Sequence, residues 1–244
     1  MAIRVRSMLK MDFYRLFHTP ALYIMLLIAA IIPAMVLSTS GSGNAQSPSV
    51  EMTNAWQIVE ILPGGVSGSV SDFGSFANIN MVFIFAGLLL SIFVSHDYSS
   101  GFVKNIFTVH SRKMDYVISK SLIGIFGGAG MIITYVVGAV VVGIFMGKSF
   151  EVNIAGLVMC LLSKMFLMAI FVSLFLAISV FFKSKLWMTI VFTFLFGMML
   201  YPAASVATLG TTAAVMIGSL VAGIAGAVGI GAISSLFLKK RDLV

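Results

Sequence analysis

Charge is what this sequence has least of. Asp, Glu, Lys and Arg make up 9% of its 244 residues, where a water-soluble domain carries about 25%. A surface so poor in charge cannot be solvated over a whole globule, which excludes an ordinary soluble enzyme or binding domain. Cysteine is the next scarcity. Cys160 stands alone inside an apolar run, so no intramolecular disulfide and no thiolate metal set is available, and it reads as a small packing residue. His18, His96 and His110 lie far apart and lack metal-ligand spacing. The acids are Asp12, Glu51, Glu60, Asp72, Asp97, Asp115, Glu151 and Asp242, and none lies well inside an apolar run. Ion-coupled carriers place carboxylates or broken helices at membrane depth, so their absence argues against a secondary transporter. There is no paired carboxylate, HExxH or GxSxG, and Ser163, Ser173 and Ser179 have no histidine at matched depth. The chain is therefore not expected to be an enzyme, and it displays no energy source of its own.

What it has in abundance is apolar sequence: 60% of residues, with a mean hydropathy of +1.11. Runs near twenty apolar residues cross a bilayer as helices, because every backbone polar group must be paired within the segment. Six such runs occur, at 21–38, 76–95, 117–146, 154–182, 186–204 and 211–238. The expected fold is all-α and polytopic: an interfacial helix over 1–20, then one transmembrane domain of six helices over 21–244. The first run resembles a signal peptide in its basic start and in Ser38-Thr39-Ser40. At eighteen residues it exceeds a usual signal core and is expected to remain as a span. Pro33 is expected to kink its far end.

The charges orient these spans. With the N-terminus placed inside, the inner segments hold thirteen of the fifteen Lys and Arg: Arg4, Arg6, Lys10, Arg15, Lys104, Arg112, Lys113, Lys120, Lys183, Lys185, Lys239, Lys240 and Arg241. Only Lys148 falls outside, and Lys164 lies within a span. This is the positive-inside pattern, with both termini cytoplasmic in a multi-pass protein of the cell membrane. It accounts for the net charge of +7 by topology and attraction to lipid headgroups, so no nucleic-acid partner is expected.

Several local features refine the picture. In residues 1–20, Val5, Leu9, Phe13, Leu16 and Phe17 form an apolar stripe flanked by Arg4, Arg6, Lys10 and Arg15, as in a helix lying in the headgroup layer. The outer loop 41–75 has no Lys or Arg. Its Met52, Ala55, Trp56, Val59 and Leu62 suit a short amphipathic helix resting on lipid between Pro48 and Pro63. Gly124 and Gly128 form a GxxxG pair, and two further rows of small residues run through the last span: Ala214, Gly218, Ala222, Gly226 and Gly223, Ala227, Gly231. Gly147-Lys148-Ser149 ends like a phosphate-binding loop, but position 142 is Val142 instead of glycine, and the turn lies on the outer side, so no nucleotide site is expected. Lys164 costs about 2.5–3.5 kcal/mol to insert at mid-span and should face the bundle, water or a snorkelling route. It is a candidate for the translocation path.

The stretch 96–120, HDYSSGFVKNIFTVHSRKMDYVISK, is a polar hairpin between the second and third spans. Asp97, Ser99 and Ser100 are candidate helix caps. Phe102, Val103, Ile106, Phe107 and His110 then recur at helical spacing, with Lys104, Asn105 and Thr108 opposite. One face suits the bundle or bilayer, the other a soluble partner. Asp97, Gly101, the helix from Phe102 to Phe107, Ser111-Arg112, Tyr116 and Lys120 together resemble the ABC-2-type exporter permeases, and the wording Asp97-Tyr98-Ser99-Ser100-Gly101 is similar to the small six-span permeases of Gram-positive bacteria. Two positions depart from the family: many relatives have Glu at the place of Asp97 and Thr at the place of Phe102. The resemblance implies a coupling helix, with Asp97, Gly101, Phe102, Lys104, Asn105, Arg112 and Lys120 contacting a separate ATP-binding cassette subunit that binds ATP and Mg, while this chain binds no cofactor or metal. It implies a second permease, identical or similar, and export of an amphipathic peptide or antibiotic-like substrate, and it adds the N-terminal helix as a second link to the ATPase. Without the resemblance, the residues equally allow an ATP-independent channel, secondary carrier or membrane assembly factor.

Overall fold

The computed structural model describes residues 2–39, 54–59, 79–108, 113–183 and 185–240. Among the described residues eight α-helices follow in order: α1 (Ala2–Phe17), α2 (Pro20–Thr39), α3 (Met81–Ser99), α4 (Phe102–Thr108), α5 (Lys113–Phe145), α6 (Ile154–Phe182), α7 (Leu186–Leu200) and α8 (Ala213–Lys240). Short 3-10 turns occupy Ala55–Val59 and Tyr201–Val206. No strand occurs among the described residues, whose one β-type contact is a bridge between Asn54 and Ser149. Among the described residues six helices are long and apolar enough to cross a membrane: α2, α3, α5, α6, α7 with its following turn, and α8. The protein is an all-α, six-span bundle, and it is a multi-pass membrane protein.

Several boundaries differ from the apolar runs: the second span starts at Met81 instead of 76, α7 ends at Leu200 instead of 204, and α8 runs from Ala213 to Lys240 instead of 211 to 238, while the longest extensions into charged sequence are at the hairpin. α3 continues through His96, Asp97, Tyr98 and Ser99 instead of stopping at 95, and α5 begins at Lys113 instead of 117. Hydropathy ends a span at the first charge, but Asp97 is paired inside the protein with Arg15 and Lys120, so α3 carries it. At 33 residues α5 is about 50 Å long, well beyond a hydrocarbon core of about 30 Å.

α3, α5 and α6 form the centre, with α2 against α5, α7 against α3, and α8 against α6. Glycine sets the closest approaches. A Cβ on Gly124 would sit 2.7 Å from Val172 Cγ1, and one on Gly128 would sit 2.8 Å from Met168 Cγ, so the GxxxG pair seats α5 on α6. Gly138 brings α5 onto the backbone carbonyl of Ala30 in α2, and Gly223 brings α8 to within 2.5 Å of the Phe166 carbonyl, measured from the same ideal Cβ position. Gly223 thus packs within the bundle, as does Gly226 of the other row, where a Cβ would sit 2.9 Å from Ile170 Cγ1, whereas Gly218 faces open space. A hydroxyl chain adds polar contact across three spans: Ser91 Oγ lies 2.9 Å from Thr193 Oγ1, and Ser179 Oγ donates to Ser91 Oγ at 3.3 Å.

α2 continues as helix through Pro33. Two local expectations change. The described part of the outer loop is one 3-10 turn whose Ala55, Ile58 and Val59 are buried against α2 and α5, so it is not a helix resting on lipid; Met52, Leu62, Pro48 and Pro63 lie outside the described residues. The apolar stripe of α1 is also rotated. Met8, Asp12 and Leu16 are its buried line, Leu9 and Phe13 flank it, and Phe17 is exposed. A carboxylate on the buried side is what displaced the predicted stripe.

Candidate functional site

The hairpin closes one end of the bundle. α3 ends at Ser99, and the chain turns at Gly101, whose φ of +72° is a left-handed conformation that only glycine adopts without strain. Ser100 N–H donates to His96 O at 3.0 Å, Gly101 N–H to Tyr98 O at 3.3 Å, and Asn105 N–H to Gly101 O at 3.2 Å, which starts α4 directly after the turn. The expected caps work differently. Ser99 Oγ and Ser100 Oγ donate back to the carbonyls of His96 and Asp97, and Asp97 points elsewhere. α4 has the predicted two faces: Val103 is buried, Ile106 and Phe107 pack on the core, and Lys104 and Asn105 are exposed. His110, Ser111 and Arg112 lie outside the described residues.

Behind this elbow sits a buried ion cluster. Lys120 Nζ donates to Asp12 Oδ1 at 2.7 Å and lies 2.6 Å from Asp97 Oδ2. Arg15 Nη2 donates to Asp97 Oδ1 at 2.5 Å. Ser119 Oγ donates to Asp12 Oδ2 at 2.7 Å, and Tyr116 Oη to Asp97 Oδ2 at 3.3 Å. Asp12, Asp97 and Lys120 have no solvent exposure, and Arg15 has 24%. Two carboxylates thus balance two cations, and the remaining carboxylate oxygens accept from neutral donors. That is the condition under which buried ions are tolerated. Rings close the sides. The Lys120 ammonium lies 4.4 Å from the Phe93 ring centre, and the Arg15 guanidinium 4.5 Å from that of Phe102. Phe102 is the elbow's own lid over the cluster.

The members come from three places in the chain. Asp12 and Arg15 belong to α1, Asp97 to the last turn of α3, and Ser119 and Lys120 to the second turn of α5. Both arms of the hairpin and the N-terminal helix are therefore tied at one point. Asp97 and Lys120 lie in this knot, not on the surface; Lys104 and Asn105 carry the exposed polar face. Sequence reasoning found Asp97 and Lys120 but missed Asp12 and Arg15. Their signal was present, since Asp12 stands four residues from both Met8 and Leu16 and so belongs to their face.

Lys164 is far from this cluster, at the opposite end of the bundle. It is fully buried and donates to Asn80 Oδ1 at 2.9 Å and to Ala204 O at 3.2 Å. The Gly147-Lys148-Ser149 turn is also at that end, where Ser149 O accepts from Ala55 N–H at 2.9 Å.

A family model described as ABC-2 family transporter protein matches residues 8–200, which spans the ion cluster, the elbow and the first five membrane helices. The chain belongs to this family. As an ABC-2 protein it is the permease component of a transporter, the class in which ATP hydrolysis belongs to a separate subunit. Searches of curated proteins and of solved structures each gave no match. The match begins inside α1, so the helix that supplies Asp12 and Arg15 lies within the ABC-2 unit.

Proposed function

We propose that this ABC-2 permease exports an amphipathic peptide or antibiotic-like molecule, driven by ATP bound with Mg on a separate ATP-binding cassette subunit. The orientation follows the positive-inside count, with both termini and the elbow in the cytoplasm. α4 is the coupling helix. Its exposed Lys104 and Asn105 face the ATPase, and Arg112 joins them from the same hairpin. A second six-span permease, identical or similar, completes the path, with lipid around both.

The observation that carries this reading is the ion cluster. A coupling helix transmits motion only if it cannot slide on its own flanking spans. Asp97 at the end of α3 and Lys120 near the start of α5 are 2.6 Å apart, and Asp12 and Arg15 add α1 to the same joint. A push on α4 therefore displaces α1, α3 and α5 together. Asp97, Gly101, Phe102 and Lys120 act by positioning the coupling helix, and Lys104, Asn105 and Arg112 by touching the partner.

The test is copurification of the tagged chain with an ATPase encoded beside it, followed by reconstitution in vesicles. Gly101→Pro cannot adopt the φ the turn needs and should abolish stimulated hydrolysis. Lys104→Glu should release the ATPase. A chain that purifies alone, or a partner indifferent to both substitutions, would overturn the proposal.

A further inference from the structure

Among the described residues, Lys164 is the one cation that the ion cluster does not account for at membrane depth. It stands on the third turn of α6, ten residues in from the helix start, or about 15 Å along the axis. Its side chain has no solvent exposure, and both of its partners are neutral oxygens, Asn80 Oδ1 and Ala204 O. No carboxylate lies within ion-pair distance of it among the described residues. The contrast with Lys120 is direct: among the described residues, one buried ammonium has two carboxylates, the other has none.

Its position adds to the imbalance. Asn80 is the residue before α3, and its side chain makes no capping bond to that helix. The start of α3 therefore lies at the depth of Lys164, with its positive dipole end toward the ammonium. Ala204 belongs to the 3-10 turn after α7. The amine thus ties the ends of α3, α6 and that turn together, and it does so through bonds weaker than those an anion would make. A charge-assisted bond is about twice as strong as a neutral one.

We propose that Lys164 is a binding residue for the anionic head of an amphiphile, a phosphate or a carboxylate. The anion displaces Asn80 and Ala204 and so frees the three segments to part at this end. Lys164 is then both a latch and the group that reads the cargo. The inference deepens the export reading above in giving the substrate class, but binding by the isolated chain does not require an ATPase.

The experiment uses the purified full chain in a neutral detergent. Unfolding is followed by loss of helical circular dichroism, because the Cys160 thiol, which donates to Ala207 O beside the proposed site, would report local opening instead. Two pairs of ligands are compared, lysophosphatidic acid against the matching monoacylglycerol and an apolar peptide acid against its C-terminal amide, each on wild type, Lys164→Arg and Lys164→Met. Wild type and Lys164→Arg should be stabilised by several degrees by the anions alone, and Lys164→Met by neither. Response to lysophosphatidic acid only would assign the site to lipid phosphate; response to the peptide acid only would assign it to a peptide terminus. Asn80→Ala removes a competing acceptor and should bind the anion several-fold more tightly. Equal shifts in wild type and Lys164→Met, or no preference for anion over neutral analogue, would overturn the inference. So would unchanged or weaker binding by Asn80→Ala, which keeps the test usable if Lys164→Met does not fold. Loss of ATPase copurification with anion binding intact would remove only the export reading.

Discussion

At Lys120 the ammonium meets Asp12 at 2.7 Å and Asp97 at 2.6 Å, with no water-facing surface on any of the three side chains. Removing one partner of such a group leaves an uncompensated buried charge, which costs about 3–5 kcal/mol. Lys120→Met and Asp12→Asn are each expected to lower the thermal stability of the purified chain by that order. The double substitution restores the charge balance and should be milder than the sum of the two, by about 1–3 kcal/mol. Strict additivity in a thermal melt would mean the two side chains do not share a network. Arg15 is the most exposed member, at 24%, so Arg15→Met should cost less than Lys120→Met. Of these residues the sequence made Asp97 and Lys120 conspicuous, because they stand in a hairpin with a family wording. It hid Asp12 and Arg15, because a charged residue in a basic amphipathic helix reads as solvated until a partner is seen.

At the scale of elements, the turn and the helix seats give separate predictions. Gly101 has φ +72° and nothing within 4 Å of an added Cβ. Gly101→Ala therefore strains only the backbone, by about 1–2 kcal/mol. It should leave the chain folded in detergent while reducing coupled ATP hydrolysis, and hydrolysis equal to wild type would show that the turn is not needed in this form. The glycines in the spans divide by what they face. A methyl group on Gly138 would meet the backbone of Ala30, which cannot rotate away, whereas one on Gly218 would meet nothing. Gly138→Ala is expected to be destabilising and Gly218→Ala near neutral, as read by thermal unfolding of the two variants side by side. The glycine-rich character of α5 and α8 was plain in the sequence. Which glycines of α8 are seated was not, since that depends on the rotation of the helix about its axis.

For the whole molecule, the charge count makes an orientation that labelling can check. In a Cys160→Ala background, cysteines at Lys104 and Lys185 should react with an impermeant reagent only when it reaches the cytoplasmic side. A cysteine at Lys148 should react from outside. Labelling of Lys148→Cys and Lys104→Cys from the same side would reject the six-span topology. The burial of Lys164 gives a second molecular-scale expectation: it should resist amine-reactive probes in the folded chain, while Lys104 and Lys185, both exposed, react.

The number of spans, their order and the position of the elbow were fixed locally. A run of apolar residues is long enough to cross lipid or it is not, and its flanking lysines count on one side or the other, so both properties survive without any knowledge of neighbours. The ion cluster and the Lys164 latch are different in kind. They join atoms 82 and 108 residues apart at the elbow end, and 84 and 40 residues apart at the other. Such contacts depend on how each helix is rotated and how deep it sits, which only the packed bundle decides. For the same reason hydropathy ended α3 before Asp97: whether a charge can be carried inside a helix end is a property of its partner, and the partner lies on another helix.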